Sequence, residues 1–100
     1  MAGFVQLVEF ETDDPGALEA ALIQFQADHP GVMTSTASTL TEDRDRPGTF
    51  ISIVEFPSYD KAMEQSNHPA LTSMAQELAH RMKATPRFRN LDVRSSNRSG

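Results

Sequence analysis

The chain has 100 residues, 38% hydrophobic and 23% charged, with a formal net charge of −5 and no cysteine or tryptophan. That size and balance fit one small folded domain rather than a disordered chain, and the missing thiols exclude disulfides, thiolate nucleophiles and zinc–thiolate sites. The acidic balance argues against nucleic-acid binding, which needs a basic patch; the late cations Arg81, Lys83, Arg87, Arg89, Arg94 and Arg98 read as a solvated helix end and tail.

The opening Met1-Ala2-Gly3-Phe4 has neither a basic start nor an apolar run, so no signal peptide is expected. No apolar stretch approaches bilayer length, which makes the cytoplasm the default location. Phe4 to Thr12 is rich in β-branched and aromatic residues and reads as a strand. Asp14 and Pro15 suit the cap and first turn of a helix that carries Leu18, Leu22 and Phe25 at helical spacing. Asp28-His29-Pro30-Gly31 ends it, with His29 a partner for the helix dipole. Val32 to Leu40 reads as a second strand, 42–48 as a charged hairpin loop, and Thr49 to Phe56 as the clearest strand of all.

A short helix follows over Tyr59 to Gln65, broken at Ser66-Asn67-His68-Pro69. The next helix carries an apolar stripe of Leu71, Met74, Ala75, Leu78 and Met82, an i,i+4 pair of Glu77 and Arg81, and a stop at Thr85-Pro86. Its outward His80 should face water, and Met63, Met74 and Met82 are core filling. Phe88 to Val93 is the last strand, and residues 95–100 form a loose polar tail beyond a single domain over residues 1–94.

The order is β-α-β-β-α-β. An internal repeat supports it, since Val8-Glu9-Phe10 and Val54-Glu55-Phe56 each close a strand ahead of a helix. Two such halves imply an α+β, ferredoxin-like split arrangement with a four-stranded antiparallel sheet, its first and third strands side by side and parallel at the centre. Strand alternation puts Phe4, Val8 and Phe10 on one face and Val5, Leu7 and Glu9 on the other; Phe50, Val54 and Phe56 likewise oppose Ile51, Ile53 and Glu55. Two helices roof only one face. The exposed apolar remainder calls for a second copy of the chain, sheet against sheet.

Glu9 and Glu55 share a face, and two close carboxylates split their pKa values into an acid–base pair. The alternative is an interface end neutralised by Arg89, placed opposite Glu9. Asn67, His68 and Tyr59 surround the helix break, where a pocket mouth is expected; His68 is the candidate base for a phenol or enol proton, or else a helix cap. Asn67, Tyr59 and Arg89 are the candidate substrate-binding residues. The three histidines have no metal-type spacing, so no metal site is expected, and no Gly-rich phosphate loop or nucleophile elbow occurs.

The run Ile53-Val54-Glu55-Phe56-Pro57-Ser58-Tyr59-Asp60-Lys61-Ala62-Met63, then Ser66-Asn67-His68-Pro69, a Met- and Ala-rich helix and Phe88-Arg89-Asn90-Leu91-Asp92-Val93, resembles the antibiotic biosynthesis monooxygenase-like group of the dimeric α+β barrel superfamily. The resemblance spans roughly Phe4 to Val93. It implies a subunit whose sheet pairs with its mate's as a homodimer, and a pocket between sheet and helices. It implies oxidation of an aromatic or polyketide-like molecule by O₂ without metal, flavin or other cofactor, the substrate itself being the reductant; isomerase or cyclase chemistry on the same substrates is a variant. The group also holds haem-degrading enzymes, but these and the polyketide oxidisers lean on a pocket Trp that this chain lacks. The alternative is a non-catalytic dimeric module binding an apolar ligand or a protein partner.

Overall fold

A computed structural model describes residues 3–97; Met1, Ala2 and residues 98–100, with Arg98 and the end of the expected tail, lie outside the described residues. The elements are β1 (Phe4–Glu11), α1 (Pro15–Asp28), β2 (Ala37–Glu42), β3 (Thr49–Phe56), α2 (Tyr59–Ser66), α3 (Pro69–Ala79) and β4 (Arg87–Asp92). They build one four-stranded sheet in the order β2-β3-β1-β4, with every neighbouring pair antiparallel. This is the ferredoxin-like α+β architecture expected from the repeat. No described helix is long and apolar enough to cross a membrane.

The parallel pairing expected of the two central strands is overturned. β1 and β3 are adjacent, but they run antiparallel. The reason is topological. The β1–α1–β2 unit makes β1 and β2 parallel, and the β2–β3 hairpin then reverses the chain. The register pairs Phe4 with Phe56 and Phe10 with Phe50. Phe10 and Phe50 stack with ring centroids 5.7 Å apart, and Phe4 and Phe56 meet at 6.3 Å. Directly opposed side chains on antiparallel strands lie close enough for such pairs to stabilise the sheet.

All three helices pack on this phenylalanine face. Phe10 and Phe50 join Leu18 of α1 and Leu78 of α3 in one cluster, with Val8, Ala21, Met74 and Met82 around it. Phe4 and Phe56 join Ala62 of α2 in a second, with Val54 and Met63 beside it. The three methionines thus fill core space, as their spacing implies. α1 starts where Asp14 accepts the Ala17 N–H at 3.1 Å, and closes where the His29 N–H reaches the Phe25 carbonyl at 2.9 Å.

β2 begins later than the sequence suggests, at Ala37 rather than Val32. The preceding backbone is engaged elsewhere. The buried Gln65 carbonyl oxygen accepts the N–H groups of Thr34 at 2.7 Å and Ser35 at 3.2 Å, and the Thr34 hydroxyl donates to the Lys61 carbonyl. The Gln65 amide and the Thr34 hydroxyl therefore tie Thr34 and Ser35 to α2, and the chain reaches the sheet only at Thr36, whose N–H meets the Glu55 carbonyl at 2.7 Å. α3 also stops early, at Ala79. Thr12, only 1% exposed, donates to the Arg81 carbonyl at 3.1 Å, and the Lys83 N–H reaches the Glu11 carbonyl at 2.9 Å. Those bonds draw residues 81–83 onto the end of β1, so Arg81 leaves the helix and no Glu77–Arg81 ion pair forms. Lys83 pairs instead with Asp13 at 2.8 Å, which holds the ammonium above its ordinary pKa.

The β2–β3 hairpin is fastened at Asp43. Its carboxylate accepts the Asp45 N–H at 2.9 Å and the Arg46 Nε at 3.3 Å. Gly48 closes the turn at φ +90°, a left-handed position that suits glycine. The Asp45 N–H, followed by the Arg46 guanidinium, holds the Asp43 carboxyl below its ordinary value of 3.8. The sign follows: its stabilisation is present above that value and is lost as pH falls through the lowered one. An NMR titration should place the Asp43 midpoint below 3.8, and Arg46→Ala should move it upward.

Candidate functional site

A groove of about 620 Å³ opens between the β1–β4 side of the sheet and the paired helices α2 and α3. Met63, Leu71, Ala75, Ala79, Pro86 and Phe88 give it apolar walls. Gln6, Ser66, Thr72, Gln76, Thr85 and Asn90 supply its polar groups, and no acidic, basic or imidazole side chain lines it. Phe88 remains 55% exposed although it lies opposite Val8 on the helix side of the sheet. Its exposure follows from the break between α2 and α3 and from β4 being an edge strand, so helices do not roof β4 as they roof β1 and β3. Concave, mainly apolar sites with a few neutral polar groups are the usual form of a small-molecule pocket. A smaller groove between α1 and α3, about 330 Å³, carries Asp28, Glu77 and Arg81, so an apolar occupant there would desolvate charge.

Gln6 and Asn90 are opposed on β1 and β4, and the Gln6 amide nitrogen donates to the Asn90 carbonyl oxygen at 3.1 Å. The sequence reading did not single out either residue. Two signals were available: Gln6 interrupts a face otherwise made of Phe4, Val8 and Phe10, and Asn90 sits in a strand, where asparagine is disfavoured.

The sequence-chosen residues lie elsewhere. His68 and Asn67 are exposed at the helix break, flanked by Ser66 and Leu71 of the groove but not lining it. The His68 Nδ1 accepts the Ala70 N–H at 3.1 Å, which makes His68 the N-cap of α3. That bond leaves the proton of a neutral imidazole on Nε2, so the free nitrogen is a donor rather than a base. Asn67 caps the end of α2 through its backbone N–H, which reaches the Met63 carbonyl at 2.9 Å. Tyr59 opens α2 behind its cap Ser58 and meets Phe4 edge-to-face at 5.4 Å, one helical turn before Met63.

Glu9 and Glu55 do share the open sheet face, but not a site. Glu9 is opposite Ile51 and Glu55 opposite Val5. Four residues of strand separate them, roughly 13 Å at about 3.3 Å per residue, so the close carboxylate pair expected from the repeat does not form. The antiparallel register is the cause, because it carries equivalent ends of β1 and β3 to opposite edges of the sheet. The residue opposite Glu9 on β4 is Arg87; Arg89 lies opposite Leu7. Leu7, Glu9, Ile51, Arg87 and Arg89 line a recess of about 50 Å³, far smaller than the groove beside α2 and α3. Among the described residues no three His, Asp or Glu groups come close enough to hold a metal ion.

No protein-family model and no curated protein matches this sequence. Solved structures do. SnoaB, a cofactor-independent oxygenase from Streptomyces nogalater, superimposes with a TM-score of 0.74 at 18% identity, over 96% of this chain and 97% of that one. The chain has the fold of the antibiotic biosynthesis monooxygenases. A putative antibiotic biosynthesis monooxygenase from Nitrosomonas europaea aligns with a TM-score of 0.73 at 12% identity, over 92% and 90% of the two chains. Rv0793 from Mycobacterium tuberculosis aligns with a TM-score of 0.73 at 15% identity, over 97% and 99%. At these identities the likeness is one of architecture, and function has to be argued from the groove.

His68→Ala should lower stability by about 1 kcal/mol, the usual worth of an N-cap side chain, read as a shift of the urea midpoint at unchanged slope.

Proposed function

We propose that the groove is a small-molecule site and that the chain works as a cofactor-independent monooxygenase on an aromatic or polyketide-like substrate. The observation that carries this is the uncharged, apolar groove beside α2 and α3, in a fold shared with a cofactor-independent oxygenase. In this reading the groove binds a flat, electron-rich phenol or enol, and no metal or flavin is needed. The ionised substrate gives one electron to O₂, the two radicals join as a peroxide anion that takes a proton back from water, and loss of water from the resulting hydroperoxide leaves a carbonyl. A ring CH₂ plus O₂ thereby becomes C=O plus H₂O. The groove's walls hold no base, so the first proton leaves to water at the open mouth, and substrates that ionise near neutral pH react fastest. His68 then acts by holding the start of α3, and Tyr59 by bracing Phe4.

The second reading, a binding module without catalysis, is favoured by that same lack of a base. O₂ uptake separates the two. Wild type with simple anthrones and quinols should consume O₂ above buffer, and Ala75→Trp, which fills the groove, should cut uptake about tenfold or more by denying the substrate its position. His68→Ala should keep the rate per folded molecule within about twofold, as a residue outside the reacting shell does. Probes that bind without O₂ uptake would leave only the module.

We further propose a cytoplasmic homodimer built sheet to sheet. Val5, Leu7, Ile51 and Ile53 are half-buried on the face that carries no helix. Covering their remaining surface is worth about 1 kcal/mol each. Glu9 and Glu55 share that face with Arg87 and Arg89. A two-fold interface must complement itself, and a face bearing both signs of charge around an apolar centre meets that condition. Wild type at micromolar concentration should sediment at twice the chain mass, and Leu7→Arg at the single mass. A folded wild-type monomer overturns the pairing.

A further inference from the structure

We infer that the Gln6–Asn90 amide pair sets the specificity of the groove, selecting an uncharged ligand that carries a carbonyl acceptor next to an N–H or O–H donor. The inference rests on the groove being the ligand site, as proposed above.

Each side-chain amide offers one acceptor oxygen and two N–H donors. Their mutual bond uses one Gln6 N–H and one lone pair of the Asn90 oxygen. No other described residue bonds to either amide. The Gln6 oxygen and the Asn90 nitrogen are thus left over, an acceptor beside a donor on one cross-strand step. Turning both amides over exchanges the two roles and leaves the same pair. A ligand edge with C=O next to N–H or O–H matches both at once.

The surroundings argue for a neutral ligand. Nearly a quarter of the chain is charged, yet none of the residues lining the groove is. A carboxylate or phosphate brought there would shed water and meet no cation. Phe88, two residues from Asn90 on β4, and Met63, Leu71 and Ala75 from α2 and α3 supply apolar surface for the body of the ligand. The amides therefore fix its orientation while the apolar walls hold it, and orientation decides which ring position faces the open mouth.

The test uses 2-quinolinone, which carries this edge, N-methyl-2-quinolinone, in which the donor is blocked, and quinoline-2-carboxylate, which is anionic. The chain has no tryptophan, so probe fluorescence can be titrated directly. Wild type should bind 2-quinolinone about tenfold more tightly than either comparison compound, the size expected of a neutral hydrogen-bond pair. Asn90→Leu, checked for fold by circular dichroism, should bring the lactam and its N-methyl derivative within about twofold of each other by weakening the lactam alone. Gln6→Leu removes the same edge from β1 and serves where Asn90→Leu does not fold. Equal wild-type affinities, or a preference that survives both variants, overturns the amide assignment and leaves the groove as a ligand site. Absence of binding by any probe up to about 1 mM, the weak end of specific affinity, overturns the groove reading itself and this inference with it.

Discussion

Four phenylalanines on the two central strands organise this fold. Phe4, Phe10, Phe50 and Phe56 all point to one side of the sheet, and each is at least nine-tenths buried. Their cross-strand pairing fixes the β1–β3 register, because a slip by one residue would send every phenylalanine to the opposite face. Helices collect on the side that the rings occupy: α1 and α3 cover Phe10 and Phe50, and α2 covers Phe4 and Phe56. The core is thus two neighbouring clusters joined through the sheet, and the break between α2 and α3 lets one helical segment serve each.

That break also shapes the site. Ser58 and His68 each cap a helix start, and a single residue, Asn67, lies between Ser66 and His68. With the helical cover interrupted between α2 and α3, β4 is exposed along its whole length while β1 is mostly covered, and the uncovered strip becomes the groove. Its neutrality is a property of placement. Leu71, Ala75 and Ala79 turn toward it from α3, whereas Glu77 and Arg81 border the other groove, beside α1.

The opposite face of the sheet has another logic. Its rows run Ala37–Glu55–Val5–Leu91, Thr39–Ile53–Leu7–Arg89 and Thr41–Ile51–Glu9–Arg87, so apolar residues sit at the centre and charge gathers toward the ends. Glu9 lies opposite Arg87 within the chain. Such a pattern gives an apolar centre for burial and charged ends for register, which is how associating surfaces combine affinity with specificity. The groove and this open face are on opposite sides of one sheet, and β1 and β4 contribute to both through alternate residues.

Local chemistry was enough to read the helix starts at Asp14–Pro15, Tyr59 and Pro69, the strands from Phe4 and Thr49, and the repeat that implies the split topology. Those features rest on backbone preferences and on alternation, which a sequence displays directly. The delayed start of β2 and the early end of α3 were hidden, because Gln65 and Thr12 redirect those backbones through hydrogen bonds across 30 and 69 residues of chain. The site was hidden for the same reason. The repeat marks Glu9 and Glu55 as equivalent in sequence, but antiparallel pairing separates equivalent positions along the sheet. It also places Gln6 beside Asn90, 84 residues later, which no local pattern announces. By itself the sequence determined the elements, their order and the two apolar faces of the sheet. Only the tertiary structure decided which of those faces the helices cover and which side chains meet in the groove, because both depend on strand direction and register between distant segments.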